Sequence, residues 1–310
     1  MTFLAEHPRL AALFGALCIT FSGIFYRWSG VSPETGVVFR ALYGLPFLAA
    51  VAAVEWRRRG PMTPRAIRLS LLAGVFFTAD LLTWHHAIGY VGAGLGTVLG
   101  NLQVVIVALA AWMFLGERPR RAVLVAIPVM LLGVVLISGA IGAGAYGSDP
   151  PLGVVIALGT ALAYSGYLLI IRRASPDNRP AGPVAIATLA TVVCSTVFGA
   201  AVGTLDLVPR LPAHAHLLAL GFTSQFAGYL AIQVALPRLP AVLTSVIVLV
   251  QPVTTVILSG ILLGEAPSVA QVVGIVMVVG GIAIATAPVE RVRAFRSPAV
   301  EAAGPRQPGS

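Results

Sequence analysis

Leu115-Gly116-Glu117-Arg118-Pro119 returns 148 residues later as Leu263-Gly264-Glu265-Ala266-Pro267, and both copies border strongly apolar sequence. The same offset, without a gap, aligns Ala79 with Ala227, Leu82 with Leu230, Gln103 with Gln251, Ala122 with Ala270 and Gly133 with Gly281. An offset of 143 aligns the beginnings of the two halves: Phe21-Ser22-Gly23 with Tyr164-Ser165-Gly166, and Ser32-Pro33-Glu34 with Ser175-Pro176-Asp177. A chain written twice from one unit folds as two similar halves, with the shared surface between them.

The solvent of those halves follows from polarity. Of 310 residues, 58% are hydrophobic and only 10% are charged, whereas a soluble domain carries about 25% charged residues. The chain cannot cover itself with polar surface, so its partner is the lipid bilayer. All 20 basic residues are arginines. Without a lysine there is no Walker A loop and no Schiff base, which argues against ATP-driven work by this chain. Cys18 and Cys194 lie in apolar runs and are expected to be buried and unpaired. No cofactor or metal motif is present.

Apolar runs of about 20 residues each suffice to cross a membrane as a helix. They fall near 10–27, 36–55, 68–88, 93–115, 119–139, 151–172, 182–204, 214–236, 240–263 and 267–287. The first run lacks a small-residue cleavage site and reads as a retained helix. If the N-terminus is cytoplasmic, 17 of the 20 arginines fall on the cytoplasmic side, leaving Arg27 and Arg210 outside and Arg40 within the second crossing. This placement accounts for the net charge of +9 without nucleic acid. The expected fold is an all-α integral membrane protein of ten transmembrane helices, with both termini cytoplasmic. Five crossings per half is an odd number, so the repeats are inverted. They span residues 1–145 and 146–288, followed by a basic, disordered cytoplasmic tail, 289–310, suited to anionic lipid head groups.

Duplicated hydrophobic bundles of this kind are the mark of secondary transporters, which bind substrate between their repeats. Ten crossings in five-plus-five order, Phe39-Arg40 early in the second, and the two Leu-Gly-Glu-x-Pro signatures together resemble the drug/metabolite transporter superfamily, and within it the EamA branch. The resemblance spans about residues 10–287. It implies a multi-pass carrier of the plasma (inner) membrane, commonly an exporter of amino acids, other metabolites or toxic compounds. Ala266, where the first copy has Arg118, departs from the pattern in agreement with an outer location.

Polar groups inside the apolar runs are the candidates for binding substrate or a proton. Asp80 lies mid-way along the third crossing, at a cost of about 2.5–3.5 kcal/mol on insertion scales, and so should face a cavity or a partner. Trp84 and Phe77 share its helical face. The alternative for Asp80 is a packing hydrogen bond. His85 follows, either as a titrating group or as a buried or interfacial one. Arg40 either snorkels outward or pairs with Asp80 or a substrate carboxylate. Asn101, Gln103 and its repeat mate Gln251 need hydrogen-bond partners in helices, water or substrate. Tyr164 completes a polar lining together with Gln225, Tyr229 and Gln233, which recur every four residues as one stripe. Pro46, Pro128 and Pro252 lie inside crossings and can free backbone carbonyls. Gly92, Gly96 and Gly100 read as a close-packing face, and Glu117 and Glu265 as caps of the helices they precede.

The expected function is secondary active transport, with export the favoured direction, of small organic metabolites such as amino acids or amphipathic compounds by alternating access. Proton coupling through Asp80 and uncoupled facilitation both remain open. A membrane enzyme is disfavoured, because no nucleophile, metal cluster or paired deep carboxylate is present. Cargo, stoichiometry and oligomeric state are not encoded in these patterns.

Overall fold

A computed structural model describes residues 7–115, 121–174, 179–235 and 241–286. Glu117, Arg118, Arg120 and Arg238, the Ser175-Pro176-Asp177 repeat and the C-terminal tail lie outside the described residues. Among the described residues the architecture is all helical. The first half comprises α1 (Pro8–Thr20), α2 (Ser22–Ser29), α3 (Pro33–Arg59), α4 (Pro64–Val91), α5 (Ala93–Gly100), α6 (Gln103–Leu115) and α7 (Arg121–Ile137). The second half comprises α8 (Pro150–Ala174), α9 (Ala181–Val202), α10 (Leu211–Leu220), a π-helical segment (Gly221–Gly228), α11 (Tyr229–Ala235), α12 (Ala241–Leu263) and α13 (Val269–Thr286).

Seven of these rods are long and apolar enough to cross a membrane, counting Pro8–Ser29 and Leu211–Ala235 as one each. Shorter apolar helices, Ala93–Val107, Arg121–Ile137 and Val250–Leu263, occupy the places of the fourth, fifth and ninth expected crossings. Local chemistry sets the ends. Ser32 and Thr63 each accept the backbone N–H three residues on, from Thr35 (3.3 Å) and Ala66 (3.2 Å), and a proline opens the first turn of α3 and α4. Helices α3, α7 and α12 continue through Pro46, Pro128 and Pro252. Cys18 and Cys194 are free and half-buried rather than enclosed.

The halves pack by a rule that treats them as equivalents. Helix α4 lies along α8, and the corresponding α10–α11 rod lies along α1. Helices α3 and α9 pack on each other, as do α7 and α13, each pair being repeat mates. Mates run antiparallel. A Cβ on Gly133 would meet Val278, and one on Gly281 would strike Met130. Since Met130 and Val278 are themselves 148 residues apart, the two contacts occupy equivalent positions in the two halves. The segment joining the halves is held by Gln271, fully buried. Its side chain accepts from the Tyr146 N–H (2.7 Å) and donates to the carbonyls of Ile137 (3.2 Å) and Tyr146 (3.0 Å).

The α7–α13 crossing depends on glycine. A Cβ at Gly274 would lie 2.6 Å from the Gly133 carbonyl oxygen, whereas one at Gly280 on the same helix meets nothing within 4 Å. Gly274→Leu should therefore lose about 1–3 kcal/mol, read as a lower thermal midpoint in detergent. Gly280→Leu should leave that midpoint unchanged.

Candidate functional site

Where the halves meet, a cavity of about 90 Å³ is lined by side chains from α1, α2, α3, α4, α5, α6, α8, α11 and α12. Eight of the ten residues singled out from sequence lie on its wall: Arg40, Asp80, Trp84, Asn101, Gln103, Tyr164, Tyr229 and Gln251. His85 and Gln233 do not. His85 is fully buried behind the wall, its ring 4.0 Å from Tyr26 and 5.1 Å from Trp84. One residue along a helix turns the side chain by about 100°, which takes it off the Asp80–Trp84 face.

The Gln225–Tyr229–Gln233 stripe presupposed 3.6 residues per turn. The chain is instead π-helical from Gly221 to Gly228, a wider turn between Gln225, which meets Arg40, and Tyr229, which faces the cavity; Gln233, one α-helical turn beyond Tyr229, hydrogen-bonds with Tyr167 behind the wall. A π segment inside a helix is a frequent companion of function. Glycines make room for it: a Cβ on Gly44 would fall 2.6 Å from the Gln225 side chain, and one on Gly221 would fall 2.9 Å from the Arg40 carbonyl.

Arg40 is 2% exposed. Its Nε donates to Gln225 Oε1 (3.1 Å), and Gln225 Nε2 in turn donates to Thr188 Oγ1 (2.9 Å). The guanidinium carbon lies 5.8 Å from the Trp84 ring and 5.9 Å from the Tyr229 ring, within cation–π range. Behind Tyr229 the rings continue: Phe77 packs edge-on to Tyr229 (5.3 Å) and stacks on Tyr167 (4.6 Å), which stacks on Tyr164 (5.5 Å). Asp80 is 5% exposed. Among the described residues no hydrogen bond reaches its carboxylate, and Arg40 is the charge that faces it. The two are not within ion-pair distance; the one ion pair among the described residues is Glu34–His86 (2.9 Å). The cavity therefore presents one guanidinium and one carboxylate that do not neutralise each other directly.

The fourth rod is interrupted, although its backbone bonds run on through the gap from the N–H groups of Asn101, Leu102, Val104 and Val105 to carbonyls three residues back. Helix α5 ends at Gly100 and α6 begins at Gln103. Asn101 closes the break by donating its amide to the Thr97 carbonyl (2.8 Å), and Gln103 Oε1 is buried with no partner. Neither the break nor the cavity residues Thr97 and Thr160 stand out in the sequence; the Thr97 hydroxyl donates to the Ala93 carbonyl (2.8 Å) and that of Thr160 to Thr83 Oγ1 (2.9 Å). Ile19 and Ser22 were also missed; Ser22 belongs to the repeated Phe-Ser-Gly, a signal that was available.

Glu265 does cap a helix, but the one in the other half. Its carboxylate accepts the N–H groups of Ala93 (2.6 Å) and Gly94 (2.9 Å) at the start of α5, where the helix dipole favours an anion. Gly92 has φ +88°, and a Cβ there would lie 2.8 Å from that carboxylate. The close helix approach of the glycine-rich stretch is made by Gly94, 2.6 Å from Ser259 Oγ when given a Cβ, and not by Gly96 or Gly100. A related exchange joins α3 and α9. Glu55 accepts the Gly182 N–H (2.9 Å), and Arg179 donates to the carbonyls of Arg59 and Gly60 at the end of α3. Glu265→Ala should cost about 1–3 kcal/mol in detergent stability, the price of two buried N–H groups left unmet, and Glu265→Gln should cost less because one acceptor oxygen survives.

A profile of the EamA-like transporter family matches residues 9–139 and, a second time, residues 151–287. One solved crystal structure of another protein aligns over 90% of this chain and 98% of its own, with 21% identity and a TM-score of 0.61. That likeness supports the fold. No curated protein matches the chain.

Proposed function

The chain belongs to the EamA-like transporter family, and we propose that it is a secondary carrier whose cargo is a small zwitterion such as an amino acid, held between Arg40 and Asp80. It is a multi-pass membrane protein, and both its termini lie in the cytoplasm in this reading. The observation that carries the proposal is the pair of opposite charges, separately buried on one cavity wall. A buried charge is retained where it has a partner. A solute carboxylate would satisfy Arg40, which has N–H donors beyond the one spent on Gln225. A solute ammonium would satisfy Asp80, with Trp84 beside it.

The cycle is alternating access about the repeat interface, with the cavity opening to one side and then to the other. Export is the favoured direction, coupled to proton entry. When cargo leaves, Asp80 is left with no ammonium, and protonation removes the cost of a lone buried carboxylate. Proton and cargo thus compete for one group, which is sufficient for exchange.

The test is purified protein in liposomes containing a pH dye, challenged with neutral amino acids, their decarboxylated amines and cationic amphiphiles. Neutral zwitterions should trigger a pH change absent from empty liposomes, while amines lacking the carboxylate should not. Arg40→Gln should lower kcat/KM by about 10–100-fold, the worth of a charge-assisted hydrogen bond. Asp80→Asn should abolish the pH change while solute counterflow persists. Proton movement unchanged in Asp80→Asn would remove Asp80 from the coupling step, and solute flux without any proton movement would make the protein an uncoupled facilitator.

A further inference from the structure

Away from the central site lies a second cavity, of about 400 Å³, between α3, the start of α4 and α9. Its wall is hydrocarbon: Leu45, Ala49, Trp56, Ile67, Ile186 and Leu189 among others. It opens outward, since Trp56 is 62% exposed and Leu189 48%. At its end stand Glu55 and Arg179. One Glu55 oxygen is bound to the Gly182 N–H, and Arg179 is bound to the carbonyls that end α3.

The turn from α3 to α4 supplies the second half of the argument. Arg57, Arg58, Arg59, Arg65 and Arg68 are all exposed there. Between Glu34 and Asp80 the sequence has one acid, Glu55, and it is buried. Arg57, Arg58, Arg65 and Arg68 therefore place a surplus of positive charge close in sequence to Trp56 and Ile67, which line an apolar slot at the ends of membrane-crossing helices. An occupant must be hydrocarbon at one end and anionic at the other.

We propose that this cavity holds an acyl chain of an anionic glycerophospholipid, with the lipid phosphate among the arginines of the α3–α4 turn. Clusters of arginine just beyond a membrane helix attract anionic lipid, and the cavity converts that general attraction into a site by giving one chain a fixed place. The bound lipid lies against the contacts by which α3 and α9, one from each half, hold each other's ends.

The test is native mass spectrometry of the delipidated full-length protein with phosphatidylglycerol or phosphatidylcholine of identical chains. Wild type should retain phosphatidylglycerol at least about tenfold more tightly, the discrimination two surface arginines provide. Ala49→Trp and Leu189→Trp each fill the cavity from a lipid-exposed position and should lose the bound phosphatidylglycerol; either one, monodisperse in detergent, suffices. Arg65→Gln with Arg68→Gln should bind the two lipids equally. Equal binding of both lipids by wild type, or undiminished phosphatidylglycerol on a cavity-filled variant, would overturn the proposal. Neither result bears on solute transport through the central cavity, so the two readings fail separately.

Discussion

The guanidinium of Arg40 sets the terms for everything around it. A permanent charge at 2% exposure inside an apolar bundle is tolerable only if its hydrogen bonds and its field are met. Gln225 meets one N–H, and Gln225 is itself oriented by Thr188. Trp84 and Tyr229 offer ring faces. Each of these demands propagates. Gln225 is delivered by the π-helical segment, that segment fits because Gly44 and Gly221 leave room, and Tyr229 is braced by Phe77 and Tyr167. The cavity is the space left once a buried cation has been satisfied on all sides but one.

The two halves are alike in backbone and unlike in chemistry. The repeat mate of Asp80 is Gly228, and that of Arg40 is Pro183. Both charges of the site come from the first repeat, while two of its tyrosines, Tyr164 and Tyr229, come from the second. Duplication supplies a symmetric frame, and a symmetric frame alone has no preference among solutes. Discrimination comes from the positions at which the copies have diverged.

How far the sequence could be read depended on the range of the signal. Crossings are local properties of hydropathy, and seven long apolar helices fall on expected crossings, with shorter ones in the places of the fourth, fifth and ninth. Asp80 and Arg40 were legible because charge in an apolar run has few explanations. The π segment was not, since Gly221–Gly228 has nothing in its composition to distinguish it from an α-helix; what sets it apart is its close packing on α3. His85 shares its neighbourhood with Asp80 in sequence and not in space. Glu265 was read as a cap for the helix it precedes, because proximity along the chain was the only proximity available. The amides it reaches, 171 and 172 residues away, are brought to it by the antiparallel packing of the halves.

The meeting of α7 and α13 has a further consequence. Gly133 against Val278 and Gly281 against Met130 are images of each other under exchange of the halves. The positions match but the facing side chains do not, Val278 standing opposite Gly133 and Met130 opposite Gly281. The seam is even in place and uneven in size, so the two halves would not be interchangeable there: a branched side chain fills one notch and a longer, unbranched one fills the other.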